Sequence, residues 1–210
     1  MMYWLPWIQG FTLGAGLIIP IGAQNAFVLN QGIRRQHHLL VAAICGLFDV
    51  LLISLGVFGG GAALQAHGLL YWGISLAGMA FLLLYGAHCW RRVFRHGQSL
   101  ALDGRERGLR AVLVGVLAVT LLNPQVYIET VMILGSVGGG FAEEHKWAFA
   151  LGCISASLIW FFTLALAAAR MSTWLGRPVV QKVMDAAIGT LMWLLAGKLA
   201  LGLMAAGAPL

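Results

Sequence analysis

The chain alternates long apolar stretches with short basic ones. Residues 1–33, 50–90 and 147–169 hold no Lys, Arg, Asp or Glu. A helix rising 1.5 Å per residue needs about 20 apolar residues to cross the hydrocarbon core of a bilayer. The run from Val50 to Trp90 is too long for one crossing and too apolar for a solvated loop. Gly59-Gly60-Gly61, followed by the polar stretch Gln65, His67, Gly68, interrupts it, so it reads as a hairpin of two spans. The pattern predicts six transmembrane helices, roughly 4–30, 38–62, 68–90, 111–134, 147–169 and 185–206. The fourth and sixth each carry one charge, Glu129 and Lys198. The first is expected to be a retained span rather than a cleaved leader. No basic residue precedes it, and it runs on through Pro20 into a polar segment.

Composition excludes a water-soluble globule. The chain is 60% hydrophobic and 10% charged, against about 45–50% and roughly 25% in ordinary soluble domains. The fold class is therefore an all-α integral membrane protein. The 28 glycines suit close helix packing in lipid, as at Gly10-x-x-x-Gly14, Gly56-x-x-x-Gly60 and Gly135-x-x-x-Gly139. Eleven of the 13 Lys and Arg fall in the connections 31–37, 91–110 and 170–184, while Lys146 alone marks the other side. Positive loops stay cytoplasmic, so both termini are expected on the outer side. The net charge of +6 is accounted for by topology and implies no nucleic-acid partner.

Six spans divide into two sets of three. Three is odd, so a duplicated unit enters the membrane from opposite sides, giving an inverted repeat: 1–90, a basic cytoplasmic loop 91–110, and 111–210. Both halves open with a proline beside side-chain amides, deep in an apolar helix. The first has Pro20-Ile21-Gly22-Ala23-Gln24-Asn25 and the second Asn123-Pro124-Gln125. Proline removes a backbone donor and frees a carbonyl, which in lipid must be met by protein, water or cargo. Matched broken helices, one per half, form the substrate site of many transporters. Plain proline kinks are the alternative.

Asp49 lies about ten residues into the second span, and Glu129 five residues beyond Pro124. A carboxylate at the bilayer centre costs about 2.5–3.5 kcal/mol on the mildest scale, and such residues face a bundle interior or a watery path. A protonated, hydrogen-bonded carboxyl is the structural alternative for each. Lys198 is the lone deep cation in the sequence, either a tethered competitor for these carboxylates or a side chain snorkelling to the interface. The surplus negative charge suits a cationic cargo. Trp160-Phe161-Phe162 offers cation–π surface but reads more simply as packing. Cys45, Cys89 and Cys153 lie singly in different spans, and the six His sit mostly at span ends or in loops. Neither a membrane oxidoreductase nor a metal-dependent hydrolase finds its residues here, and no metal or cofactor is expected.

The stretch from Pro20 through Asn25 to Gln31-Gly32-Ile33-Arg34-Arg35-Gln36-His37 resembles the signature of the LysE-type amino acid exporter family. Phe48-Asp49-Val50 with Gly56-Val57-Phe58-Gly59-Gly60 is similar to that family's second span, and Thr120 to Thr130 to its fourth. Phe149 to Ser157 extends the resemblance through nearly the whole chain. The resemblance implies export of basic L-amino acids, arginine with lysine as a second cargo, from a bacterial cytoplasm across the inner membrane, coupled to the ion gradient with protons as the expected coupling ion. Asp49 and Glu129 would hold the cationic side chain, with Gln24, Asn25 and Asn123 at the α-carboxylate and Pro20, Gly22 and Pro124 forming the breaks. Ala23 stands where the family usually has Pro, and Glu129 where it usually has Asp, one methylene shorter. A neutral amino acid or metal-cation exporter on the same fold is the runner-up, and a homo-oligomer is left open.

Overall fold

The computed structural model describes residues 3–20, 22–60, 68–94 and 108–206. Among these residues every regular element is helical. In chain order they are α1 (Trp4–Ile18), α2 (Ala23–Arg34), α3 (His38–Leu55), α4 (Gly68–Phe94), α5 (Leu109–Leu121), α6 (Gln125–Gly139), α7 (Glu143–Arg170), α8 (Ser172–Leu175) and α9 (Pro178–Ala206). A kinked turn, Gly56–Gly60, with non-helical backbone at Phe58 and Gly59, follows α3, and a π-helical stretch, Ile128–Leu134, forms the middle of α6. The wider π stretch is not signalled by hydrophobic periodicity, which cannot separate a 3.6-residue repeat from a brief wider one.

Among the described residues three helices are long and apolar enough to cross a membrane: His38–Gly59, Glu143–Arg170 and Pro178–Met204. Two bent pairs bring the number to five if each is one span. Helices α1 and α2 meet at 78°, and α5 and α6 at 55°, so both expected breaks are present. The final helix starts at Pro178, seven residues before the expected boundary. At the glycine run after α3, Gly59 takes φ +123°, a backbone that favours glycine and ends the helix. Gly61, Gln65 and His67 of the expected hairpin lie outside the described residues, as do Ile21 of the first motif and Arg95, Arg105 and Arg107 of the basic loop. Arg91 and Arg92 instead continue α4, and Arg110 lies in the first turn of α5.

Glycine sets the helix crossings. A Cβ at Gly10 would sit 2.1 Å from the Phe149 carbonyl oxygen, and one at Gly152 2.1 Å from that of Trp7. The α1 and α7 backbones therefore pass in direct contact, as Gly10-x-x-x-Gly14 leads one to expect. Gly56 and Gly135 press together in the same way, joining the kinked end of α3 to α6. Helix α7 also packs along α2 and α3, and α4 along α9, where Trp193 fills the notch left by Gly86. Phe27, Val28, Cys45, Val116 and Phe161 form the largest buried cluster, beside the two breaks.

Candidate functional site

Each break is built from local hydrogen-bond needs. Pro20 ends α1 without a donor for the preceding turn, and Gly22 is extended at φ −118°, ψ −174°. The carbonyls left over are met by one side chain: Asn25 Nδ2 donates to the oxygens of Ile18 and Pro20, both at 2.8 Å. Trp160 Nε1 donates to Asn25 Oδ1 at 3.1 Å and fixes the amide from α7. At the second break Asn123 Oδ1 accepts from the Gln125 N–H at 3.2 Å, capping α6. With that donor withdrawn, the Leu121 carbonyl is taken by the Tyr127 hydroxyl at 2.9 Å.

The two breaks open onto one cleft. Gln24, Asn25, Asp49, Asn123 and Glu129 all line it, together with Pro20 and Gly22. Five side chains read from the sequence as cargo contacts, from α2, α3, α6 and the break before α6, thus face a common space. Asp49 is 2% exposed and accepts from Ser157 Oγ at 2.6 Å. Glu129 Oε1 accepts from Gln125 Nε2 at 2.7 Å. Gln24 Nε2 donates to Thr120 Oγ1 at 3.3 Å, tying α2 to α5. Thr130 and Phe161 complete the wall. Among the described residues no lysine or arginine lines the cleft, so its two acidic groups have no basic neighbour among them.

Lys198 does not join them. It lies on the exposed face of α9, away from the lining of the cleft and outside every ion pair among the described residues. The structure thus does not bring it to Asp49 or Glu129, where a tethered competitor would sit. A lone cation on an outward helix face extends its stem along the apolar surface toward the headgroups.

Gln125, Ser157, Trp160 and Thr120 were not selected from the sequence. Gln125 stood within the Asn123-Pro124-Gln125 motif, and its amide type was the available signal. Ser157 had none, because Ser155 two positions away is chemically equal and bonds back to the Leu151 carbonyl instead. Trp160 was read with its neighbours as packing, whereas its indole N–H positions a site residue.

The LysE type translocator family matches residues 15–203. The arginine exporter protein ArgO of Pectobacterium atrosepticum is 45% identical over 94% of this chain and 97% of its own. The ArgO protein of Yersinia enterocolitica is 46% identical over 92% of this chain and 95% of its own. A protein of Aeromonas salmonicida described as putative amino-acid transporter YggA is 50% identical over 93% of this chain and 95% of its own. No solved structure matches the chain.

Proposed function

The chain belongs to the LysE type translocator family, and from that premise we propose that it is a secondary exporter of basic L-amino acids, with arginine as the principal cargo and lysine as a second. The observation that carries this reading is the pairing of Asp49 and Glu129 in a cleft with no basic lining residue, flanked by the amides of Gln24, Asn25 and Asn123. The relatives named as arginine exporters support the choice of cargo. In the proposed complex the cargo's cation lies against the two carboxylates. Its α-carboxylate meets the amides of Gln24 and Asn123 and the positive end of α2, which opens toward the cleft, while Asn25, whose two N–H groups are taken by the Ile18 and Pro20 carbonyls, holds the break in shape.

Coupling needs one exchangeable proton. Proton and cargo compete for Asp49, so outward cargo movement is matched by inward proton movement. In the proposed topology α4 adds a sixth span, and 1–90 and 111–210 are inverted halves whose broken helices meet at the cleft. The packing of α1 on α7, of α3 on α6 and of α4 on α9 suits such a pseudo-two-fold pairing. The arginine-bearing connections lie in the cytoplasm of a bacterial cell, and both termini lie outside the inner membrane.

The test is uptake of labelled arginine into everted membrane vesicles, with lysine, ornithine and threonine as competitors. Saturable uptake that collapses with the pH gradient and is blocked by lysine is the expected result. Asp49→Asn should abolish it while the purified protein keeps its melting temperature within a few degrees. Threonine transport without arginine transport would overturn the cargo, and full coupled uptake by Asp49→Asn would overturn the coupling role.

A further inference from the structure

A second polar pocket lies between α2 and α9, nearer the arginine-bearing end of the bundle. It is a shallow, partly open recess lined by Ala26, Asn30, Ile33, Gln181, Asp185 and Ile188. Asn30 is five residues beyond Asn25 on the same helix, about 8 Å along its axis at the α-helical rise, so α2 links the two pockets. Each polar side chain in this lining offers an oxygen acceptor. Asp185, 6% exposed, receives Arg92 through a two-pronged contact, Nε to Oδ2 at 3.0 Å and Nη2 to Oδ1 at 2.5 Å. Asn30 Oδ1 receives Arg34 Nε at 3.0 Å. Gln181 Oε1 is buried and has no donor among the described residues.

Two of the three acceptors are thus already occupied by guanidinium groups of the chain itself, and the third is vacant. A planar guanidinium fork matches a carboxylate in a way an ammonium does not. The Arg92–Asp185 pair also bridges α4 to α9 at one end of their packed length.

We propose that this pocket is a second cargo subsite, selective for a guanidinium cation, in which Arg92 occupies Asp185 until an incoming cargo guanidinium displaces it. This deepens the export reading and rests on it. Exchange of one guanidinium for another conserves the charge and the hydrogen bonds at Asp185, so the swap is not opposed by an unpaired buried carboxylate. Gln181 Oε1 supplies the acceptor that a free cargo gains over the tethered one. Release of Arg92 unfastens α4 from α9, which ties cargo arrival to movement of the two helices.

The test uses the full chain in nanodiscs, titrated with ethylguanidinium and, as control, ethylammonium, reading melting temperature, alongside arginine uptake in everted vesicles. With the competitor gone, Arg92→Gln should respond to ethylguanidinium at roughly threefold to tenfold lower concentration than the unaltered protein, in line with loss of one charged hydrogen-bonding partner. Its half-saturating arginine should fall in parallel. Asp185→Asn should raise both values, and the double variant should lose the Arg92→Gln effect. A pair serving only as a structural clasp would instead give two variants that shift the same way, or in maximal rate alone, and would overturn the proposal. Should Arg92→Gln fail to fold, Arg92→Lys, which keeps the charge without the fork, should move half-saturation in the same direction by less, and no movement would refute the subsite. Normal arginine uptake with no ethylguanidinium effect sinks this subsite only. An ethylguanidinium effect without arginine uptake sinks the export reading and leaves the pocket's selectivity standing.

Discussion

Ser157 and Asp49 meet across the interface of α7 and α3, with the serine hydroxyl donating to the carboxylate at 2.6 Å. Both side chains are buried, at 0% and 2% exposure, and this is the hydrogen bond the structure gives Asp49. The two residues are 108 positions apart in the chain, and Gly46, one turn before Asp49, receives Leu158 to let the helices approach. Helix α3 is therefore held in register at Asp49 by a neighbour that does not itself line the cleft.

Ser157→Ala should lower coupled arginine uptake by about tenfold while expression and melting temperature change little. A charged hydrogen bond contributes about 1.5–3 kcal/mol, and here its loss frees the carboxylate to turn away from the cleft. Everted-vesicle uptake at several external pH values checks this. Uptake indistinguishable from the parent at every pH would show that Asp49 needs no positioning.

Asn25→Leu should be felt first in stability. The amide meets two main-chain carbonyls at the first break, and leucine of similar volume meets neither. Buried acceptors left unpaired cost about 1–3 kcal/mol each, so the melting temperature should fall by several degrees and uptake should be lost. Asn25→Asp keeps the oxygen that accepts from Trp160 but not the donor, and should fail in the same way. A stable Asn25→Leu protein would mean that water reaches the break.

How far the site could be read from the sequence depended on whether a residue violated the rules for its surroundings. Asp49, Glu129, Pro20 and Pro124 stood out because lipid penalises charges and missing backbone donors, and the breaks appear where those prolines are. Gln24, Asn25 and Asn123 stood out by adjacency to them. Ser157 and Thr120 break no rule, since a hydroxyl can satisfy itself on its own helix, as Ser155 does. Their roles arise from which helices touch, and that is a tertiary fact. Lys198 shows the converse: depth in the sequence span says nothing about which way a helix face points, and α9 presents this lysine outward.

From that outward placement, Lys198→Met should leave arginine uptake within about twofold of the parent, because the lysine neither lines the cleft nor pairs with either carboxylate in it. The measurement is half-saturation and maximal rate in everted vesicles. A large loss of gradient coupling would return Lys198 to the transport cycle and require a state in which α9 turns.

Glu129→Asp is the sharpest probe of cargo choice. Glu129 reaches Gln125 Nε2 one turn back on its own helix, and both residues line the cleft. Shortening the side chain by one methylene withdraws the carboxylate from that amide and enlarges the space between it and Asp49. Guanidinium needs two coplanar acceptor contacts, whereas an ammonium accepts many arrangements. Arginine uptake should therefore fall more than lysine uptake, lowering the arginine-to-lysine ratio by roughly threefold to tenfold, the equivalent of one hydrogen bond to a charged group. Glu129→Gln removes the charge and should depress both cargoes together. Competition between labelled arginine and graded lysine separates the two outcomes, and an unchanged ratio in Glu129→Asp would place cargo selection elsewhere in the chain.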